Sequence, residues 1–148
     1  MKKHKLLFCA LGLFCPATGF NCFYLQGMKS FWAWVQLLSL IGGVAGWGLL
    51  EQANFHSTPG WILLTFGFIA IEASWLTTIA FGLRPDEKWD AQFNPHLAPE
   101  HASRSGWLVI MTVIFALVLG AGVMMTFLAI AFEQFFISQL QEARKISQ

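Results

Sequence analysis

Residues 107–132 read WLVIMTVIFALVLGAGVMMTFLAIAF, a run of 26 residues that contains no charged side chain. An apolar stretch of roughly 18 residues or more is long enough to cross a bilayer as a helix. Backbone N–H and C=O groups find no water in the hydrocarbon core, and a helix satisfies them internally. The stretch therefore predicts a transmembrane helix, and it identifies the chain as an all-α integral membrane protein.

The composition of the whole chain agrees with that class. Of its 148 residues, 56% are hydrophobic and 11% are charged, whereas soluble domains carry about 25% charged residues. The formal net charge is +1, and basic residues are not interleaved with aromatic ones, which argues against nucleic-acid binding. The lipid bilayer is thus the first partner that the sequence predicts.

Three more apolar segments precede this run, and they predict helices at about 6–25, 31–50 and 61–83. We therefore expect four transmembrane helices. The first segment follows a basic start and is also compatible with a cleaved secretory signal. We favour a retained helix, because the apolar character continues past Gly19 to Leu25. Pro16 removes one backbone hydrogen bond and is expected to kink this helix or to end its regular part.

The chain divides into two predicted units, a helical hairpin over 1–51 and a second hairpin over 52–148. The second unit contains a polar loop at 84–106, where three prolines argue against a long helix. Its tail at 133–148 follows the last apolar run without an intervening Gly or Pro. We expect this tail to continue the fourth helix as an amphipathic extension.

Basic residues predict the orientation, since they mark the cytoplasmic side of a membrane protein. Lys2, Lys3 and Lys5 flank the first segment closely. With four spans, both termini would then lie in the cytoplasm, with the protein in a bacterial inner membrane. That arrangement places five basic residues on the cytoplasmic side and four on the other, which is hardly a bias.

The segment Gly19-Phe20-Asn21-Cys22-Phe23-Tyr24-Leu25-Gln26-Gly27 joins the first apolar stretch to a second one that is rich in Gly and Trp. It resembles the turn of the TM-two domain family, a two-helix membrane hairpin whose turn typically reads Gly-x-His-Arg-Phe-Tyr-Leu-Gly. The matching residues are Gly19, Phe23, Tyr24 and Leu25, with Gly27 one position late.

This resemblance covers residues 1–51, and the rest of the chain is similar to four-helix members found in proteobacteria. Asn21 and Cys22 replace the basic pair of the family turn, so a role that depends on that pair is in doubt. The resemblance implies a membrane protein of unsettled function and supplies no catalytic residue.

Glu72 lies at the middle of the third predicted span. A carboxylate at that depth is costly if it stays ionised in lipid, so it must be protonated, paired, or turned toward protein or water. One interpretation is a proton or ion site, with Ser74 and Thr77 as polar neighbours. The other, which we favour, is a protonated carboxyl that hydrogen-bonds across a helix interface, because these spans contain few polar residues to line a pathway.

Small residues recur one helical turn apart in three spans, and such faces let membrane helices approach closely. They are Gly42 and Gly46 in the second span, Ala70, Ser74 and Thr78 in the third, and Ala116 and Gly120 in the fourth. The faces are expected to pack the bundle itself, with a partner protein or a second copy as the alternative.

The polar loop opens with a segment that mixes both signs of charge, and it is a candidate docking surface. The alternative is a solvated, locally paired segment that Trp89 anchors at the membrane interface. Its residues are Arg84, Asp86, Glu87, Lys88 and Trp89.

Motifs for enzymatic chemistry are missing from the sequence. It contains no Ser/His/Asp set, no HExxH and no phosphate loop. The histidines lie outside the spans, so haem ligation within the membrane is not expected, and no spacing fits a metal site. We expect no metal and no cofactor, and we interpret the cysteines as small apolar residues.

Two functions remain as hypotheses. The first is a non-enzymatic accessory or interaction subunit, with a protein partner or a homo-oligomer within the membrane. The second is a small oligomeric transporter or proton-linked carrier that uses Glu72.

Overall fold

The computed structural model describes residues 2–96, 98 and 102–146, which form helices and no strand. Three helices, α3, α4 and α6, are long and apolar enough to cross a membrane. This result agrees with the predicted all-α membrane class but not with the predicted four spans. The helices in chain order are α1 Lys5–Phe14, α2 Phe20–Gln26, α3 Phe31–Gln52, α4 Thr58–Gly82, α5 Asp86–Phe93 and α6 Trp107–Ile146.

The predicted first span at 6–25 is wrong, because the chain breaks it into the ten-residue α1 and the seven-residue α2. Pro16 restricts the residue before it to non-helical backbone, and Cys15 has φ −125° and ψ 59°. Ala17 and Gly19 follow in left-handed conformations, with φ +60° and +74°. At 1.5 Å per residue α1 is about 15 Å long, half of a hydrocarbon core.

α1 runs antiparallel to the second half of α4. At its start, the Lys5 ammonium donates to the carbonyl of Arg84, just beyond the end of α4. Near its end, Leu13 packs in one cluster with Trp75. α1 therefore stops at about the middle of the bundle.

α2 brings the chain back to the end of the bundle from which α1 entered. The Lys3 ammonium donates to the carbonyl of Tyr24 at 3.0 Å, and the Tyr24 hydroxyl accepts from the His4 backbone N–H at 2.8 Å. Gly19 lies against the start of α3, where an added Cβ would be 2.5 Å from the carbonyl oxygen of Ala33. α1 and α2 thus form a re-entrant hairpin at what we term the N-terminal face.

α3 and α4 approach closely through glycines. A Cβ on Gly43 would lie 2.7 Å from the Cα of Gly67, and one on Gly46 would lie 2.7 Å from the carbonyl oxygen of Gly60. Of the two glycines singled out in the sequence, Gly46 makes this contact, whereas a Cβ on Gly42 would meet one side-chain methyl at 3.6 Å. The close contact on α3 therefore uses Gly43 and Gly46.

α6 continues without a break for 40 residues to Ile146, about 60 Å in length and twice the thickness of a hydrocarbon core. Its first half buries one face, which includes Ala116 and Gly120. Since α6 starts at the N-terminal face, its last turns protrude at the opposite end, which we term the C-terminal face. Lys2 and Ile146 thus lie at opposite ends of the bundle, and the predicted placement of both termini on one side depended on a fourth span.

Candidate functional site

α1 ends inside the bundle, where the last carbonyl groups of a helix need donors other than water. α4 supplies two of them. The Ser74 hydroxyl donates to the carbonyl of Gly12 at 3.4 Å, and the Trp75 indole N–H donates to the carbonyl of Leu13 at 3.3 Å. Both donor side chains are buried, so the last carbonyls of α1 find their donors inside the protein.

α1 and α4 come close together at Gly12. A Cβ on Gly12 would lie 2.1 Å from the Thr78 hydroxyl and 3.3 Å from the side-chain nitrogen of Asn21. The Thr78 hydroxyl donates to the carbonyl of Ser74 at 3.0 Å, and Asn21 of α2 is 1% exposed. α1 therefore meets α4 on one side and α2 on the other through small and polar residues around Gly12.

Glu72 faces α6 close to this contact. It is 9% exposed, and its Oε1 has no hydrogen-bond partner among the residues that the structure describes. Its Oε2 lies 3.2 Å from the position that a Cβ on Gly120 would occupy, so Gly120 leaves the space for the carboxyl group. Thr77 does not join this pair, since its hydroxyl donates to the carbonyl of Ala73 in its own helix at 2.6 Å.

A polar network at the N-terminal face ties the start of the chain to the loop after α4. Lys5 is 6% exposed, and its ammonium lies 3.0 Å from the Asp86 carboxylate. Asn94 accepts from the Lys3 backbone N–H at 2.8 Å and donates to the Lys3 carbonyl at 3.1 Å. The Trp89 indole N–H also donates to that carbonyl, at 3.1 Å. α5 and the residue that follows it therefore cover the start of α1.

The candidate docking segment is largely engaged in this cap. Trp89 is 0% exposed, so it is packed inside the protein and is not the predicted anchor at the membrane interface. Its ring centroid lies 5.7 Å from that of Phe8. The Arg84 guanidinium lies 5.8 Å from the centre of a phenylalanine ring. Glu87 and Lys88 are exposed, so these two side chains are the part of the segment that faces outward.

The residues of the family-like turn are used for internal packing. The Phe23 ring lies edge-on to Trp34 with centroids 5.4 Å apart, and Leu25 packs against the buried cluster that contains Trp89. Gly27 has φ +73° and open space around its Cα. The turn thus joins α2 to α3 at the N-terminal face.

Two carboxylates of α5 accept hydrogen bonds from the segment that leads into α6. The Ser105 backbone N–H donates to Asp86 at 2.6 Å, and the Ser103 hydroxyl donates to Asp90 at 2.7 Å. Burial opposes the ionisation of both groups. Hydrogen bonds to both carboxylates, and the Lys5 ammonium beside Asp86, favour the ionised form more strongly than burial opposes it. The pKa of each carboxyl therefore lies below its ordinary value.

We expect the protein to lose stability as the pH falls below about 4, the ordinary pKa of an aspartate. A group with a lowered pKa in the folded state contributes stability that is complete above its unfolded pKa and is lost as the pH falls through the folded one. Melting curves between about pH 7 and pH 3 measure this loss. Asp86→Asn should melt earlier at neutral pH and show a weaker acid dependence, whereas Glu87→Gln should follow the parent. An Asp86→Asn curve that overlies the parent at every pH would contradict the assignment.

The described part of the chain holds no group of three or more His, Cys, Asp and Glu residues placed to bind a metal ion. His96 is exposed, while Glu100 and His101 lie outside the described residues. Cys9, Cys15 and Cys22 are free thiols.

Comparisons of the chain with models of protein families, with curated proteins and with solved structures found no match. The likeness of the turn to the TM-two domain family stays a resemblance, which the comparisons neither support nor refute. A function must therefore be argued from the chain's own residues.

Sequence reasoning missed two residues that matter to the hairpin, Gly12 and Trp75. Trp75 carried a usable signal, since a tryptophan far from either end of a span is unusual for a residue that favours membrane interfaces. A buried indole N–H needs an acceptor, and the end of a half-helix provides one. Gly12 carried no comparable signal, because a glycine in an apolar segment fits many roles.

Proposed function

We propose that this is a multi-pass membrane protein that acts as a non-enzymatic interaction subunit, and that the end of α6 meets its protein partner. The observation that supports the proposal is the apolar surface of the C-terminal extension, residues 133–146. Phe136 and Leu140 lie one turn apart and are 62% and 61% exposed. Apolar side chains aligned on one helix face are typical of a helix that packs against another protein.

The length of α6 places this surface beyond the reach of lipid tails. Residues 107–132 already exceed the thickness of a hydrocarbon core, and residues 133–146 add about 20 Å of helix. Glu133 and Gln134 mark the change to a polar sequence. Because acyl chains do not reach Phe136 and Leu140 there, we propose that a protein surface removes these side chains from water.

The positive-inside rule gives the proposed orientation. With three spans, seven of the nine Lys and Arg residues belong to the N-terminal face and two to the C-terminal face. We therefore place the N-terminal face in the cytoplasm of a bacterial cell and the extension on the exported side of the inner membrane. The seven are Lys2, Lys3, Lys5, Lys29, Arg84, Lys88 and Arg104, and the two are Arg144 and Lys145.

The test is cross-linking in native membranes followed by affinity purification and identification of the attached proteins. The double variant Phe136→Gln/Leu140→Gln should reduce the recovered partner roughly tenfold or more, as expected when two central interface residues are lost. Its matched control, Gln141→Ala/Glu142→Ala, changes two exposed residues outside the apolar stripe and should keep the partner. A chain that yields no associated protein, or the same recovery from both variants, would refute the proposal.

A proton-linked carrier is the second candidate function, and the unpartnered Oε1 of Glu72 is what favours it. Glu72→Gln keeps the shape of the side chain and removes its ionisation. In a liposome flux assay, carrier activity requires the parent to move protons or an ion and the variant to lose that flux. Equal flux from both would leave Glu72 with a packing role against Gly120.

A further inference from the structure

The furrow between α3, α4 and α6 is filled along only part of its length. Leu13, near the tip of α1, belongs to a buried cluster against which Ile71 and Val123 pack. The same two residues line an open groove of about 380 Å³ that continues toward the C-terminal face. The half-helix thus occupies one part of the furrow, and the groove is the part that the half-helix leaves empty.

The groove offers no free hydrogen-bonding group to a ligand. Its lining is aliphatic and aromatic except for one hydroxyl and two indoles. The Thr126 hydroxyl donates to a carbonyl of its own helix at 2.9 Å. The Trp47 indole donates to Glu51 at 2.7 Å, and the Trp61 indole donates to the carbonyl of Phe55 at 3.1 Å. The groove therefore suits a purely apolar occupant.

The length of the groove matches one leaflet of a bilayer. On α4 it extends from Ile71 to Trp61, ten residues or about 15 Å, which is half of a 30 Å core. Trp61 and Trp47 lie at its outer end, at the height where indoles meet the membrane interface. These dimensions are those of an extended acyl chain.

A second cavity of about 400 Å³ adjoins the outer end of the groove and shares Phe55 and Trp61 with it. Phe55 stands at the junction with φ +63°, a strained conformation for a bulky residue. The polar side chains that line the second cavity carry hydroxyl, amide and imidazole groups, and they are His56, Thr58, Gln134 and Ser138.

We propose that the groove and the second cavity together bind one phospholipid, with an acyl chain in the groove and a zwitterionic phosphoethanolamine headgroup in the polar cavity. Neither lining includes a lysine or arginine. Glu51 bonds to a groove tryptophan and Glu133 precedes Gln134, and both carboxylates disfavour a headgroup with net negative charge. This lipid site goes beyond the proposed interaction role and does not depend on it.

The test fills the groove and measures bound lipid by native mass spectrometry. The full-length protein is reconstituted in bilayers with equal amounts of phosphatidylethanolamine and phosphatidylglycerol, then released under mild conditions. Val44 lines the groove and is 69% exposed, and Val118 is 62% exposed outside it. Val44→Trp should reduce the phosphatidylethanolamine adduct at least tenfold, whereas the matched Val118→Trp should retain it. Equal adducts from the two variants would overturn the proposal, and so would a parent without an adduct.

A second pair of variants tests the headgroup cavity and leaves the groove intact. Gln134→Leu removes an amide from the cavity lining, while Gln139→Leu changes an exposed amide outside it. Gln134→Leu should lower the preference for phosphatidylethanolamine over phosphatidylglycerol several-fold, and Gln139→Leu should not. A parent that selects phosphatidylglycerol, or a preference that survives Gln134→Leu, would refute the headgroup assignment.

Discussion

A reporter enzyme fused after Gln148 is expected to be active on the exported side of the membrane. The expectation follows from three spans, because an odd number of crossings places the two ends of the chain on opposite sides. The seven basic residues of the N-terminal face are expected to keep that face in the cytoplasm. Alkaline phosphatase, which folds only after export, should show full activity at this site, and a cytoplasmic fluorescent reporter should give none.

Lys29 provides the control that separates three spans from four. In the three-span bundle Lys29 follows α2 at the N-terminal face, whereas four spans would place it across the membrane from Lys2. A cysteine at position 29, in a chain without its natural cysteines, should react with an impermeant maleimide only from the cytoplasmic side. A cytoplasmic reporter after Gln148, with position 29 labelled from outside and a cysteine at position 2 labelled from inside, would restore four spans. Labelling of both positions from outside would instead mean an inverted three-span bundle.

The three long spans were predictable from the sequence, because hydropathy over a whole membrane thickness depends little on tertiary contacts. The predicted ranges 31–50 and 61–83 differ from α3 and α4 by a few residues at their ends. The first segment failed because its length and apolar character are those of a span. Pro16 was recognised as a kink or an end, but the reversal after it also needs the left-handed Ala17 and Gly19.

The interior site was only partly predictable. Glu72 and Gly120 were singled out for different reasons, one as a buried carboxyl and the other as part of a small-residue face. The structure brings them together, and no pattern within one helix records a contact between two helices. Ser74 was expected beside Glu72 as a polar neighbour, and it instead donates to the end of α1, a helix end that the predicted long span did not contain.

Gly12→Val is expected to displace the re-entrant hairpin from α4. The added Cβ would lie 2.1 Å from the Thr78 hydroxyl, and that hydroxyl is fixed by its bond to Ser74. Overpacking of this kind costs about 1–3 kcal/mol, and undocking would also remove the donors from the last carbonyls of α1. Because lipid offers those carbonyls no replacement, the loss should exceed that of a clash alone.

Cys9 reports on the displacement, since it lies on α1 at 0% exposure with its Sγ 3.8 Å from the carbonyl of Thr78. In a chain with Cys15→Ala and Cys22→Ala, a membrane-permeant maleimide should label Cys9 at least tenfold faster in Gly12→Val than in the parent. Gly122→Val is the matched control. It makes the same substitution inside another helix, α6, at a position where an added Cβ meets no atom within 4 Å. Equal protection of Cys9 in the two variants would mean that the contact with Thr78 does not hold α1 in place. The packing of the re-entrant hairpin against α4 would then have to be abandoned.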